Sequence, residues 1–214
     1  MLKIENVKVE GFEEAIRGMR NSWESWEKSD SYIDLCAPKS YGYGVWKMGP
    51  KDFDLAMRLS KAGASHAKYL RMIVVWADIT AGMEWWKQFD TYKVGTVSSS
   101  TSLMHTLGKR LLTPEDFSFD DPEDPLVLTV LNTVNEAIKE WWESGKKVGS
   151  YEWRRMQKLI PMGILYKRTV CLNYQVLKTM YHDRKGHRLD EWKRFCRWIE
   201  ELPYSQLITL KEVN

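Results

Sequence analysis

A run of hydroxyl side chains is the first segment of the sequence whose residue types could do chemistry. Gly95 is followed by seven residues of which six are Ser or Thr, ending at Ser102. Hydroxyl and backbone N–H groups in such a loop can bind phosphate or ribose, but the same composition suits a flexible linker. Both interpretations stay open, and composition by itself favours the linker.

Basic residues are concentrated in the C-terminal part. Residues 151–200 contain twelve Lys or Arg against five acidic residues, an excess of seven positive charges. A nucleotide phosphate or a polynucleotide backbone would suit this charge. The alternative is a solvated helix face balanced by residues 113–125, which contain six acidic residues and three prolines and predict an exposed loop.

The common motifs of catalysis and metal binding are absent from the sequence. It has no Rossmann glycine fingerprint, no P-loop, no Gly-x-Ser-x-Gly and no His-Glu-x-x-His. The four histidines are scattered, so no metal site is predicted. An odd number of cysteines without Cys-x-x-Cys spacing argues against a disulfide framework and indicates a reducing compartment. The histidines are His66, His105, His182 and His187, and the cysteines are Cys36, Cys171 and Cys196.

Composition limits the class of protein. The chain has 214 residues, is 43% hydrophobic and 29% charged, and carries a net charge of only +3. It is therefore neither a disordered tail nor an obvious polycation, and a polynucleotide partner is not favoured. With no long apolar segment and no signal peptide evident, we expect a cytoplasmic protein without membrane contact. The eleven Trp, ten Tyr and six Phe suit cores, subunit interfaces or stacking on planar ligands.

The elements that must position these residues follow from hydrophobic periodicity. Strands are predicted at 2–10 and 69–79, and a loop with a small hairpin around residues 41–46 is predicted within 38–50. Helices are predicted at 12–28, 52–62, 81–93, 126–144, 151–160, 173–183 and 189–201. Because strands and helices do not alternate regularly, the pattern predicts a helix-rich α+β fold.

The segment from Ala81 to Met104 resembles the flavin-dependent thymidylate synthases. Their signature is Arg-His-Arg-x-x-Ser-x-Asn-Glu-x-Ser-x-Arg-Tyr, preceded by a helix with an Ala-Pro start and an Arg-Gln-Trp segment. No signature residue is identical here. The aligned residues are Ala81-Gly82, Lys87-Gln88-Phe89, Thr91-Tyr92-Lys93, Thr96, Ser98-Ser99, Thr101 and Leu103-Met104.

The C-terminal half keeps the order of elements found in that family. Leu159-Ile160-Pro161 matches its Val-Leu-Pro helix end, residues 164–172 form an extended segment, Asn173 opens a helix and Arg184 ends it. The resemblance covers nearly the whole chain. It implies one thymidylate-synthase-like domain over residues 1–214, helix-rich with an antiparallel sheet, assembled as a homotetramer.

The resemblance also implies ligands. Carried over by position, Thr91, Tyr92, Lys93 and Asn173 would contact FAD. Gln88, Ser100, Thr101, Ser102 and Arg184 would contact a pyrimidine nucleotide, dUMP in the family. Folate and NADPH are the family's co-substrates, and its hydride-transfer chemistry needs no protein nucleophile.

The departures from the signature are physically significant. Leu103 replaces an arginine that would bind phosphate through two charge-assisted hydrogen bonds, and each such bond contributes roughly 1.5 to 3 kcal/mol. Gln157 stands where the family has a helix arginine, although Arg154 and Arg155 lie within one turn. Two hypotheses follow: a divergent flavin-dependent enzyme that modifies a pyrimidine nucleotide, and a non-catalytic nucleotide-binding oligomer. A nucleic-acid-binding module using Trp192, Trp198 and the basic helices is the third and weakest.

Overall fold

The computed structural model describes residues 1–35 and 45–211. Its strands are β1 (Leu2–Glu10), β2 (Tyr32–Asp34), β3 (Val45–Lys47), β4 (Val74–Gly82), β5 (Thr96–Ser100) and β6 (Leu165–Asn173). Its helices are α1 (Phe12–Met19), α2 (Pro50–Lys61), α3 (Met83–Phe89), α4 (Leu103–Thr106), α5 (Pro125–Glu143), α6 (Tyr151–Leu159), α7 (Tyr174–Arg184), α8 (Asp190–Glu201) and α9 (Gln206–Thr209). The predicted helix-rich α+β fold with an antiparallel sheet is confirmed.

Four strands form the main sheet in the order β1-β4-β6-β5, and β2 pairs antiparallel with β3. The predicted opening strand is confirmed as β1. It must end at Gly11, because the residue has φ +89° and a Cβ there would collide with the Met72 carbonyl oxygen. Of the hairpin predicted around residues 41–46, residues 41–44 lie outside the described part, and β3 contains residues 45 and 46.

Four local predictions are corrected. Residues 95–102 are not a loop, because they contain strand β5, which pairs with β6 in the main sheet. The strand predicted over 69–79 begins only at Val74, since Lys68–Arg71 form a 3₁₀ turn that buries Tyr69 and Leu70. The helix predicted over 81–93 is the shorter α3, and the helix predicted over 12–28 ends at Met19 and continues as 3₁₀ turns.

Contacts divide the chain into two compact units, which we describe separately. Unit 1 contains Met1–Asn6, Ala77–Thr91 and Ser98–Val170, and unit 2 contains Val7–Trp76, Tyr92–Val97 and Cys171–Asn214. In unit 1, α5 and α6 enclose a hydrophobic cluster of Leu107, Val134, Ala137, Ile138, Trp141 and Met156.

Helix caps explain several element boundaries. The Asp124 carboxylate accepts from the N–H of Leu126 at 2.7 Å and begins α5. The Ser150 hydroxyl accepts from the N–H of Trp153 at 3.2 Å and begins α6. Such side-chain acceptors satisfy N–H groups that the helix leaves unbonded, so they fix where each helix starts.

The core of unit 2 is aromatic and aliphatic. Large side chains that are fully buried there come from α1, α7, α8 and the segment before β4: Ile16, Leu70, Ile73, Tyr174, Trp192 and Phe195. Helix α8 shows the reason for this arrangement, because Trp192, Phe195, Cys196 and Ile199 share its buried face at helical spacing.

Candidate functional site

Arg184 and Tyr92, predicted from distant parts of the sequence, meet in unit 2. Arg184 Nε donates a hydrogen bond of 2.8 Å to the Tyr92 hydroxyl. Its guanidinium carbon lies 5.4 Å from the centre of the Tyr92 ring and 4.8 Å from that of Trp192. This cation–π arrangement holds a half-buried guanidinium in a fixed position, so Arg184 is oriented before any ligand arrives.

The hydroxyl of Tyr92 completes this cluster. It donates to the Asp183 carboxylate at 3.2 Å. Burial raises the pKa of Tyr92, the Arg184 guanidinium opposes this shift, and the Asp183 carboxylate adds to it. The net pKa lies above the ordinary value, so the phenol is neutral at neutral pH and acts as a hydrogen-bond donor.

Asn173 begins helix α7. Its Oδ1 accepts a hydrogen bond of 2.9 Å from the N–H of Val176, so any ligand contact of this amide would come from Nδ2. That nitrogen lies against Gly95, where an added Cβ would be 2.5 Å away. Lys93, which belongs to the same unit, is exposed. Asn173 therefore has a structural role whether or not it contacts a ligand.

Replacing Asn173 by alanine is expected to destabilise the protein by about 1 kcal/mol, because the cap of α7 is lost. Urea unfolding measures this change. Asn173→Ser keeps a capping oxygen and serves as the control, which should recover most of the loss. An unchanged unfolding midpoint for Asn173→Ala would contradict the capping role.

Gln88 and Thr91 lie together at the end of α3 in unit 1. The Thr91 hydroxyl donates to the Gln88 carbonyl oxygen at 2.7 Å. Thr91 is exposed and Gln88 is half-buried. The hydroxyl of Thr91 therefore closes the end of α3, where the resemblance expects a positive charge.

The three hydroxyl residues predicted to contact the nucleotide lie where β5 ends and α4 begins. The Thr101 N–H donates to the Lys167 carbonyl oxygen at 2.9 Å. Ser100 and Thr101 are exposed, while Ser102 is half-buried and precedes the first residue of α4. These hydroxyls are fixed by strand pairing rather than carried on a mobile linker.

Leu103 is partly buried. It packs against both buried clusters of unit 1, the α5–α6 cluster and a smaller one of Phe117, Leu131 and Ile164. Its carbonyl oxygen accepts a hydrogen bond of 3.3 Å from Gln157. The position where the resemblance expects a phosphate-binding arginine is thus apolar and packed inward.

The two nearby arginines are occupied elsewhere in unit 1. Arg155 forms an ion pair with Glu140, and its guanidinium lies over the Tyr151 ring. Arg154 donates to the Gly149 carbonyl oxygen. Neither arginine takes over the role of the one that Leu103 replaces while these contacts persist.

A cation that the sequence-based prediction missed lies on β6. The Arg168 guanidinium stacks 4.2 Å from the centre of the Trp86 ring and forms two hydrogen bonds to Asp90, of 2.7 and 3.3 Å. In the sequence, Arg168 was visible only as a basic residue next to Lys167 in an extended segment. Its pairing with α3 could not be inferred from spacing.

The described residues of unit 2 form a cationic recess of about 880 Å³, which we call the α1–α2 cavity. Five Lys or Arg and one His line it, against one carboxylate: Arg20, Lys28, Lys51, Arg58, His66, Lys68 and Asp54. Trp23 stands at its wall with 87% of its surface exposed. A cationic recess with an exposed indole suits an anion that carries a planar ring.

Arg20, which lines the α1–α2 cavity, belongs to a buried ion pair. Arg20 bonds Asp52 through Nε at 2.7 Å and through a terminal nitrogen at 2.6 Å, and both residues are almost fully buried. The hydroxyls of Ser29 and Ser31 donate to the same carboxylate at 2.5 and 2.6 Å. Burial alone would raise the pKa of Asp52, but these hydrogen bonds and the guanidinium lower it below its usual range.

Sequence reasoning did not find this cavity. Among the described residues, none of the nine predicted site residues lines it. Its residues come from the turns after α1, from α2 and from residues 65–69. Trp23 was instead included in the helix predicted over residues 12–28, since it lies at near-helical spacing from Met19 and Trp26.

Metal and membrane features are not seen in the described part of the chain. Within residues 1–35 and 45–211, no three His, Cys, Asp or Glu side chains are placed to share a metal ion. None of the helices in these ranges has the length and hydropathy needed to span a bilayer. Cys171 and Cys196 are free thiols.

Comparison with known proteins supports the fold. The structure is similar to thymidylate synthase X (ThyX) from Helicobacter pylori with FAD and dUMP, with a TM-score of 0.73 and 15% identity over 98% of this chain and 97% of that one. A second structure, the flavin-dependent thymidylate synthase ThyX from the same organism complexed with FAD and dUMP, gives 0.69 and 14% over 96% and 97%. No protein-family model and no curated protein matches the sequence. The chain therefore has the fold of the flavin-dependent thymidylate synthases.

Proposed function

We propose that this chain is a divergent relative of the flavin-dependent thymidylate synthases that binds a pyrimidine nucleotide and FAD. The observation that carries the proposal is the near full-length similarity to structures holding FAD and dUMP. As in the resemblance, we further propose a homotetramer and a single functional domain over residues 1–214. Folate and NADPH remain candidate co-substrates.

The α1–α2 cavity fits part of a dinucleotide. Lys28, Lys51 and Lys68 form no ion pair among the described residues, so their charges are available to a diphosphate. Trp23 offers a flat ring on which an adenine could stack. The volume of about 880 Å³ lies within the range common for ligand sites.

The Tyr92–Arg184 cluster fits a polar planar ligand. A guanidinium with a neutral phenol beside it can donate several hydrogen bonds to the carbonyl oxygens of a pyrimidine. Asn173 Nδ2 and Lys93, which the resemblance assigns to FAD together with Tyr92, would offer donors to the cofactor in the same unit. For the residues of unit 1, we keep the assignments that the resemblance implies, which are Gln88, Ser100, Thr101 and Ser102 to the nucleotide and Thr91 to FAD.

The expected chemistry, if catalysis persists, is reductive methylation or a related modification of the base. A bound reduced flavin would supply hydride. The residues of this chain would orient the nucleotide and exclude water, and no protein nucleophile is required.

A second candidate function is a nucleotide-binding oligomer without flavin chemistry. The packing of Leu103 into the hydrophobic core favours it, because this position can no longer supply a charged phosphate ligand. Thr91 likewise places a hydroxyl where the family has an arginine. Such a protein would sequester or sense a nucleotide.

An absorption spectrum from about 300 to 550 nm, recorded after incubation with FAD and desalting, tests the proposal. We expect flavin bands that survive desalting. Trp23→Ala should reduce the retained flavin because the stacking surface is lost. Leu126→Ala is the control, since this residue is an exposed apolar side chain on α5 of unit 1.

The other outcomes separate the two functions. A colourless protein that still binds dUMP in calorimetry would favour the non-catalytic candidate. A protein that retains no flavin and binds no dUMP would contradict both. Equal flavin retention by Trp23→Ala and the unmodified chain would exclude the α1–α2 cavity as the FAD site.

A further inference from the structure

A second cationic recess in unit 2 has no role in the proposed function. It has a volume of about 520 Å³, and we call it the α7–α8 cavity. Four cationic side chains and one carboxylate line it, together with three residues of other types. The lining residues are Tyr181, Lys185, Lys193, Cys196, Arg197, Glu200, Thr209 and Lys211.

The spacing of residues on α8 creates this recess. Positions 193, 196, 197 and 200 follow the i, i+3, i+4, i+7 pattern of one helix face. Trp192, Phe195 and Ile199 are buried on the adjoining face. The apolar face of helix α8 thus packs into the core, and the face that carries Lys193 and Arg197 lines the cavity.

Among the described residues, Glu200 is the only carboxylate of the lining, and it is already engaged. Glu200 accepts hydrogen bonds of 2.7 Å from the Tyr181 hydroxyl and from Lys211 Nζ. The hydrogen bonds from Lys211 and Tyr181 lower the pKa of this carboxyl. Its charge is therefore balanced locally by Lys211 and does not neutralise the other cations.

Two cations of the lining have no carboxylate partner. Lys185 and Arg197 are exposed and form no ion pair in the part of the chain that the structure describes. Lys193 pairs with Asp190 at 2.7 Å, but both side chains are about half exposed or more, and such surface pairs are weak. Among the described residues, the lining of the recess thus carries more positive than negative charge.

Cys196 does not oppose an anion in this recess. Burial and the Glu200 charge raise the pKa of its thiol to about 11. It is therefore neutral at neutral pH and contributes no negative charge to the wall.

We propose that the α7–α8 cavity binds the oligophosphate group of a small molecule, either inorganic polyphosphate or the phosphate chain of a nucleotide. Ammonium and guanidinium groups that converge on one recess bind several phosphate oxygens at once. The volume would hold a short phosphate chain. A polynucleotide fits less well, because the only aromatic side chain of the lining, Tyr181, is 3% exposed and cannot stack on bases.

Calorimetric titration of the full chain with inorganic tripolyphosphate tests this proposal. We expect saturable binding that weakens with added salt. The double variant Lys185→Gln, Arg197→Gln should lower the affinity about tenfold or more, because two charge-assisted contacts are lost. Both residues are exposed, so the variant should fold.

Two control variants locate the site. Lys158→Gln removes an exposed lysine of α6 in unit 1 and should leave binding unchanged. Lys68→Gln removes a cation of the α1–α2 cavity. It should leave the tripolyphosphate binding that Arg197→Gln weakens unchanged. Loss of tripolyphosphate binding in Lys68→Gln alone would overturn the proposal, as would equal affinities of the double variant and the unmodified chain, or no binding at all.

Competition distinguishes the sources of the phosphate. Displacement of tripolyphosphate by a nucleoside triphosphate at lower concentration would support the proposal and assign a nucleotide. Displacement of tripolyphosphate only at the concentration expected for two ligands of equal affinity would support the proposal and assign an inorganic phosphate chain. Tighter binding of longer oligothymidylates through Lys185 and Arg197 would identify a polynucleotide surface and overturn the proposal of a small molecule.

Discussion

Replacing Asp52 by asparagine is expected to lower the free energy of unfolding by about 3–5 kcal/mol, because Arg20 would then be a buried charge without a counter-ion. Both side chains of the pair are almost fully buried. The asparagine keeps the size of the side chain, so the loss reflects charge rather than packing. Urea unfolding followed by tryptophan fluorescence measures it.

Two further variants separate the pair from its surroundings. Asp54→Asn removes an exposed partner of Arg58 and should cost less than about 1 kcal/mol. The double variant Arg20→Met, Asp52→Leu removes both charges and should be more stable than Asp52→Asn, since no charge remains buried. A loss below about 1 kcal/mol for Asp52→Asn would show that Arg20 reaches solvent or another partner.

The pH dependence of stability has the same origin. The folded-state pKa of Asp52 is lowered, so its contribution is present above the ordinary carboxyl pKa of about 4 and is lost as pH falls through the folded value. Between pH 7 and about 3, the unmodified protein should therefore lose more stability than Asp52→Asn. Parallel slopes of stability against pH would contradict this account.

Strongly periodic segments were predictable because local sequence determines them. Helices α5, α6, α7 and α8 carry apolar stripes, and the first three begin at a side chain that caps the helix. Strand β5 was not predictable in this way, since four of its five residues are Thr or Ser and all but one are exposed. Its pairing in the sheet, a non-local contact, decides its conformation.

The candidate sites depend even more on non-local contacts. Tyr92 and Arg184 are 92 positions apart, and Arg20 and Asp52 are 32 apart. The resemblance to a family assigned Tyr92 to FAD and Arg184 to the nucleotide, and nothing in the spacing predicted that the two side chains are in contact. The partial burial of Leu103 could likewise not be predicted from the sequence, because a leucine that follows a polar run is equally compatible with an exposed loop.

Replacing Arg184 by alanine is expected to weaken dUMP binding about tenfold or more, because a charged donor to the ligand contributes roughly 1.5–3 kcal/mol. The guanidinium is held by Tyr92 and Trp192, so it reaches the ligand without loss of side-chain entropy. Calorimetry with dUMP measures the affinity, and circular dichroism checks that the variant is folded.

Three comparisons make this result specific. Arg188→Ala removes an exposed arginine four residues further along and should leave the affinity unchanged. Arg184→Lys keeps the charge but loses the planar fork, so it should recover only part of the binding. Tyr92→Phe keeps the ring and removes the hydrogen bond to Arg184, and an intermediate affinity would show that the phenol positions the guanidinium. If Arg184→Ala bound dUMP as well as the unmodified chain, the pyrimidine would have to bind outside the Tyr92–Arg184 cluster.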